Sequence, residues 1–215
     1  MAQSLATWPH EIHVIGMGGI GTHVLQMLLE HGTREVHIWD EDIVEAHNLP
    51  TQFLYCPLDI GYPKVEAAAR FVEERGFKTQ IVAHNEWATG ESKLSGIVIS
   101  GVDTLEARGN IWQAVEFNFE VFLYIDARIG ADSVQIHTMD PNLPKDVDRY
   151  KSWIFLDDEA LELGCATREN PHSALAVAQI LSSHLALFVR DEPIVGLLER
   201  DLLSESEDQA HPQLV

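Results

Sequence analysis

The chain has 215 residues, of which 46% are hydrophobic and 22% charged; this suits one α/β domain of ordinary size and excludes fibrous or wholly disordered architectures. Its 34 acidic residues against 14 basic ones give a formal charge of −20, which opposes non-specific attraction to phosphate backbones and anionic lipid, so neither nucleic acid nor membrane is an expected partner. The opening residues lack the basic and apolar regions of a signal peptide, and no apolar run reaches the roughly 18 residues of a membrane span, so a cytoplasmic location is expected.

Strand and helix patterns alternate along the chain. Residues 11–15 read as a short buried strand, and residues 22–31 place Val24, Leu25, Leu28 and Leu29 at helical spacing before Gly32. A second strand, residues 35–39, leads to Asp40 and then to a long aperiodic loop over residues 41–63. Residues 64–75 have the period of a helix, followed by a strand around residues 80–83. An apolar strand at residues 96–100 leads to Asp103, a helix spans 105–116, and a strand at 121–125 leads to Asp126. Strands that repeatedly end in acidic residues point to a site along their C-terminal edge. Residues 133–137 alternate like an antiparallel edge strand, residues 141–163 read as a crossing loop or lid, and residues 172–189 as a packed helix. The expected architecture is a Rossmann-like α/β domain over residues 1–200: a mainly parallel sheet, helices on both faces and an antiparallel edge extension. An acidic, flexible tail is expected over 201–215.

The first chemical motif is Gly16-Met17-Gly18-Gly19-Ile20-Gly21, a G-x-G-x-x-G placed between a predicted strand and a predicted helix. Glycines there permit a tight turn and close backbone approach, so that amides at the helix N-terminus face phosphate oxygens. Asp40 follows Gly21 by 19 residues, a spacing suited to a carboxylate that reaches a ribose hydroxyl. These two features fit an NAD-dependent oxidoreductase and an ATP-using enzyme alike.

Further motifs separate the two. Asp40-Glu41-Asp42-Ile43-Val44, then Asn48-Leu49-Pro50-Thr51-Gln52, then Gly61-Tyr62-Pro63-Lys64, then Val102-Asp103 with Arg108, follow the glycine turn in order. As an ordered set over residues 11–136 they resemble the adenylation motifs of the ThiF, MoeB and E1 enzymes. The resemblance implies ATP held by Gly16, Gly18, Gly19, Gly21, Asp40, Asp42, Asn48, Gln52, Lys64 and Arg108. It also implies Mg2+ at Asp103, with Lys64 and Asp103 serving the phosphates. The implied reaction is adenylation of the C-terminal carboxylate of a ubiquitin-like or sulfur-carrier protein, carried out by a homodimer. That chemistry joins two anions while pyrophosphate leaves, so a cation such as Lys64 and a metal at a strand-end carboxylate match its needs. A non-catalytic scaffold of the same fold and an NAD-dependent oxidoreductase are the alternatives.

Two positions depart from the family pattern. Thr51 stands where many members carry an Arg before the Gln, which removes one phosphate-contacting cation; either Arg108, Arg128 or a second subunit replaces it, or adenylation is weak. The two cysteines, Cys56 and Cys165, cannot supply two C-x-x-C pairs, so no structural zinc is expected. Cys165, in Gly164-Cys165-Ala166-Thr167, resembles the reactive cysteine of several family members in its placement, and Arg168 and His172 can lower its pKa toward a thiolate that captures the activated carboxyl as a thioester or carries sulfur as a persulfide. Cys56 has the weaker claim. The 11 histidines form no H-x-x-x-H or comparable ligand spacing in sequence.

Overall fold

A computed structural model describes residues 4–130, 133–154 and 171–202. Five parallel strands form its centre: β1 (Ile12–Ile15), β2 (Glu35–Trp39), β3 (Gln80–His84), β4 (Gly96–Ser100) and β5 (Val121–Ile129). Two antiparallel strands extend them, β6 (Ser133–Met139) and β7 (Leu197–Asp201), in the order β3-β2-β1-β4-β5-β6-β7. The β1–β2 crossover is α1 (Gly19–Glu30), that from β2 to β3 contains α2 (Lys64–Glu74), and that from β4 to β5 is α3 (Leu105–Val115). Helices α4 (Pro144–Ile154) and α5 (Pro171–Phe188) follow β6.

The strand period of two divides the core into two layers. Ile12, Val14, Val36, Ile38, Ile97, Ile99 and Ile125 pack under α1, α2 and α5. Ile15, Trp39, Val98, Tyr124 and Met139 pack with α3 and α4 on the other side. Helices therefore cover both faces, as expected for this α/β class.

Several boundaries differ from the sequence reading. Helix α1 begins at Gly19, so the glycine motif itself supplies the first turn. Residues 144–154, expected to belong to a loop or lid, form α4: Val147, Tyr150 and Ile154 recur at helical spacing and are buried, while the Pro and charged residues that suggested a loop occupy its first turn and outer face. Strand β6 is antiparallel but internal; the edge is β7, a half-exposed charged strand whose residues Glu199, Arg200 and Asp201 hid its pattern and suit an edge. Strand β7 carries the sheet to Asp201, and residues 203–215 of the expected tail lie outside the described residues. Strand β5 runs past Asp126 to Ile129, which places that carboxylate inside the strand rather than at its end. Among the described residues, no helix is long and apolar enough to cross a membrane.

Candidate nucleotide site

The strand order reverses direction between β1 and β4: from β1 the chain winds outward to β2 and β3, then returns to β4 on the other side. In a parallel α/β sheet such a switch point opens a crevice at the C-terminal edge, because the two flanking crossovers leave toward opposite faces. A cavity lies there, walled by Ile15, Gly16 and Gly18 after β1, Trp39, Asp40, Glu41 and Asp42 after β2, and Gly101, Val102 and Asp103 after β4. Gln52, Lys64, Glu86, Trp87, Ala88, Ala107 and Ile111 complete it.

The glycine turn is built so that only backbone approaches this cavity. Gly16 has φ of 90°, a left-handed conformation that side chains resist. At Gly21 an added Cβ would lie 1.8 Å from the Gly16 carbonyl oxygen, so the first turn of α1 folds directly over the preceding loop. Gly18 caps α1 without a side-chain hydrogen bond, which leaves first-turn amides for an anion at the positive end of the helix. Tyr55, reaching in from the long loop, donates its hydroxyl to the Met17 carbonyl at 2.8 Å and fixes the turn from behind.

Asp40 ties three segments together. Its Oδ2 accepts from Met17 N–H at 2.7 Å, its Oδ1 accepts from Asp42 N–H at 2.9 Å, and Lys64 Nζ stands 3.6 Å from Oδ1. Burial pushes its carboxyl above the ordinary value, against the opposing pull of Lys64 and the two amides. Each carboxylate oxygen keeps a second lone-pair site, so Asp40 can shape the turn and still accept from a ribose hydroxyl. Lys64 opens α2, its N–H donates to the Asp42 carbonyl, and its buried ammonium contacts Asp42 Oδ2 at 2.7 Å. The loop between them closes on itself through Val44 N–H to the Tyr62 carbonyl and Gly61 N–H to the Val44 carbonyl. Asn48 holds it from inside: its Oδ1 accepts from Glu45 N–H at 2.8 Å and its carbonyl accepts from Thr51 and Gln52 N–H.

The structure thus brings Gly16, Gly18, Asp40, Asp42, Gln52, Lys64 and Asp103 to one cavity, and assigns Asn48 to shaping the loop beside it. Gly19 and Gly21 lie in the first turn of α1 beneath the cavity. Arg108 is buried in α3, where its guanidinium grips Asp126 and the Val102 carbonyl. Arg128 holds the other Asp126 oxygen at 3.0 Å and lies 3.9 Å over the Trp153 ring. Both arginines that could replace the cation missing at Thr51 therefore already serve one buried carboxylate. Cys165 and Arg168 lie outside the described residues, and Cys56 is exposed. Five carboxylates, Asp40, Glu41, Asp42, Glu86 and Asp103, line the cavity with Lys64 as the basic residue among them. Sequence reasoning missed Glu86, Trp87 and Trp39 as wall residues; the signal was their position at or just past the C-terminal ends of β2 and β3.

The ThiF family model matches residues 8–134. The chain is 35% identical over 138 residues to the Saccharomyces cerevisiae "NEDD8-activating enzyme E1 catalytic subunit", covering 59% of this chain and 46% of the relative. It is 35% identical over 92 residues to the Haloferax volcanii "SAMP-activating enzyme E1", covering 43% of this chain and 33% of that protein. The chain thus spans less than half the length of these curated relatives. Solved structures share the fold: PaaA with a TM-score of 0.71 at 17% identity, covering 95% of this chain and 72% of that one, and Escherichia coli MccB with ATP at 0.66 and 16%, covering 95% and 67%. With the family model covering more than half its length, the ordered motifs in place and the fold shared, this chain belongs to the ThiF family.

Proposed function

We propose that this protein is an E1-like adenylyltransferase, which uses MgATP to convert the C-terminal carboxylate of a ubiquitin-like or sulfur-carrier protein into an acyl-adenylate with release of pyrophosphate. The observation that carries the reading is the buried Lys64 ammonium, held between Asp40 and Asp42 at the rim of a glycine-walled cavity that Asp103 also lines. An NAD site needs the glycine turn and Asp40 but has no use for a buried lysine beside them.

The residues divide the work. The glycine turn receives the phosphates on backbone amides, Asp40 takes the ribose hydroxyls, and Trp39, Ala88 and Ile111 give an apolar wall for the base. Lys64 opposes negative charge at the α-phosphate as the incoming carboxylate attacks, and Asp103 supplies oxygen ligands to Mg2+. The ion supplies charge neutralisation on the triphosphate when bound. Because Arg108 and Arg128 are committed to Asp126, the cation that Thr51 lacks comes from a second subunit of a homodimer. Transfer of the activated carboxyl to Cys165 would be the second step.

The same observation about the arginines favours one alternative, a non-catalytic scaffold that binds nucleotide and carrier without joining them. Titration calorimetry with MgATP, NAD and NADH tests the nucleotide assignment. Binding of MgATP that weakens in Lys64→Ala and Asp103→Ala supports adenylation, and NAD binding without ATP binding overturns it.

A further inference from the structure

Behind one wall of the nucleotide cavity, on the sheet face away from α1 and α2, strands β1 to β3 present a row of rings. The strand period puts His13 of β1 on that face with His37 and Trp39 of β2, and the register sets His13 beside His37 and Trp39 beside His84. These rings are in contact. Trp39 lies flat on His84, with ring centroids 3.7 Å apart and planes within 4°, and its indole N–H donates to His13 Nδ1 at 3.1 Å. The His37 ring centroid is 4.5 Å from that of His13, and His37 Nδ1 is 3.0 Å from His84 Nε2. Trp39 and Glu86 both line the cavity, so the row of rings ends at the nucleotide site.

Counting hydrogens separates these histidines. The indole N–H can only donate, so His13 Nδ1 accepts and its hydrogen sits on Nε2, 3.3 Å from Glu11. Burial, followed by the neighbouring His37, holds His13 at a pKa of about 4, and it stays neutral. The His37–His84 pair differs because a carboxylate stands at each end: Glu35 Oε1 is 3.1 Å from His37 Nε2, and Glu86 Oε1 is 3.8 Å from His84 Nδ1. Two neutral rings carry two hydrogens. One occupies the bond between the rings, which leaves one hydrogen for two outer nitrogens, so one carboxylate faces a lone pair. A single proton from solvent supplies both ends. A second would set like charges on adjoining rings, and burial together with His37 already holds His84 below the ordinary imidazole value, against the pull of Glu86. Among the described residues, the titratable groups facing the pair are Glu11 and His13 from β1, Glu35 from β2 and Glu86 beyond β3. Strand β4 brings Val98 beside His13, and α3 brings Ile111 and Trp112 to the same layer.

We propose that the His37–His84 pair is a positioning element of the nucleotide cavity that takes up a proton as nucleotide binds and presents the charge through Trp39 and Glu86. It rests on the reading of the cavity as a nucleotide site. Five carboxylates and Lys64 line that cavity, so an arriving triphosphate adds negative charge to an acidic surface. Side-chain exposures of 14% for His37 and 23% for His84 leave an imidazolium there only partly screened by solvent. Against the indole face it is held by the ring quadrupole, which fixes the Trp39 wall, and beside Glu86 it offsets one of the five carboxylates. The nucleotide thus favours the protonated pair. The complex binds more protons than the free protein, and by linkage the affinity for nucleotide falls as pH rises.

The test is calorimetric titration of MgATP in buffers of different ionisation enthalpy, which counts the protons taken up per nucleotide bound, repeated between pH 8 and pH 6. It compares wild type, a double variant carrying His37→Gln and His84→Gln, and Glu35→Gln. The nucleotide's own protons are common to all three, so the difference in uptake belongs to the pair. The expected result is greater uptake in wild type than in the double variant, with a wild-type gain in affinity from pH 8 to pH 6 that exceeds the variant's by roughly three- to tenfold. Glu35 does not line the cavity, yet Glu35→Gln should move the profile to lower pH, because it removes one of the two carboxylates that hold the proton. Equal proton uptake by wild type and a folded double variant overturns the proposal, since side chains that merely support Trp39 alter affinity alike at every pH. If the double variant fails to fold, Glu35→Gln decides alone, and an unchanged profile there refutes the role. If MgATP binds wild type at no pH, the cavity is not a nucleotide site and the pair loses its role with it; binding with equal proton counts overturns the role of the pair alone.

Discussion

Replacing Lys64 by methionine keeps the length of the side chain and removes its charge. Lys64 Nζ stands 3.6 Å from Asp40 Oδ1 and 2.7 Å from Asp42 Oδ2, with side-chain exposures of 8% for Lys64 and Asp40 but 64% for Asp42. At an effective dielectric constant of about 20 the Asp40 interaction is on the order of 4–5 kcal/mol before desolvation. Desolvation cancels much of this, and the exposed Asp42 contact adds at most about 1 kcal/mol. Asp40 also retains its two backbone donors, so the net loss of stability is about 1–3 kcal/mol, a fall of several degrees in Tm for a domain of this size. Nucleotide binding loses a charge-assisted contact worth about 1.5–3 kcal/mol, which weakens MgATP binding by roughly 10- to 150-fold. Calorimetric titration of wild type and Lys64→Met, with thermal melts beside it, reads both quantities. A folded Lys64→Met variant that binds MgATP within about threefold of wild type would refute the role given to this lysine.

Gly21→Ala forces a Cβ to 1.8 Å from the Gly16 carbonyl and should abolish MgATP binding and lower Tm; retention of both would show that the turn is not the phosphate cradle. Asp103→Asn should shift half-saturation of the ATP reaction to higher Mg2+ with a smaller effect on metal-free ATP binding, and an unchanged Mg2+ dependence argues against a metal ligand there. His13 and His184 are held near a pKa of about 4, and His137 near about 3, mainly because burial disfavours the imidazolium. These values lie below the ordinary 6.5, so the unfolded chain binds more protons in the window between, and their stabilisation is present above pH 6.5 and lost as pH falls toward 4. The slope contributed by the three is at most about 4 kcal/mol per pH unit, and His184→Leu should flatten it by about a third. Urea melts between pH 7 and pH 5 measure it, and a midpoint that stays constant across that window contradicts the burial argument. Cys165→Ser should trap an oxyester with the carrier protein, visible by mass spectrometry, if that residue receives the acyl group; a wild-type chain that never forms a labile carrier adduct excludes the step.

The parallel core was legible because buried parallel strands are near-continuous apolar runs, as in residues 12–15 and 96–100, and because helix α2 has a clear inward stripe of Val65, Ala68 and Val72. The last third was less so. Helix α4 has a polar outer face and a Pro-Lys-Asp opening that imitates a loop, and β7 is a charged edge strand whose pairing with β6 follows from tertiary context alone. At the site, motif order placed Lys64, Asp40 and Asp103 on one edge, but the burial of Arg108 against Asp126 depends on β5 continuing four residues beyond Ile125, which local pattern did not reveal. The histidine cluster was invisible for a related reason. His13, His37 and His84 are 24 and 47 residues apart in sequence and meet only through the β1–β2–β3 register.

The most direct test of the account is exchange of labelled pyrophosphate into ATP by the purified protein, supplied with a panel of ubiquitin-like and sulfur-carrier proteins and with the same carriers shortened by their last residue. The account predicts Mg2+-dependent exchange with at least one intact carrier, lost on shortening and in Lys64→Met. MgATP binding without exchange across the panel would contradict adenylation and leave the partner-binding scaffold as the function of this fold.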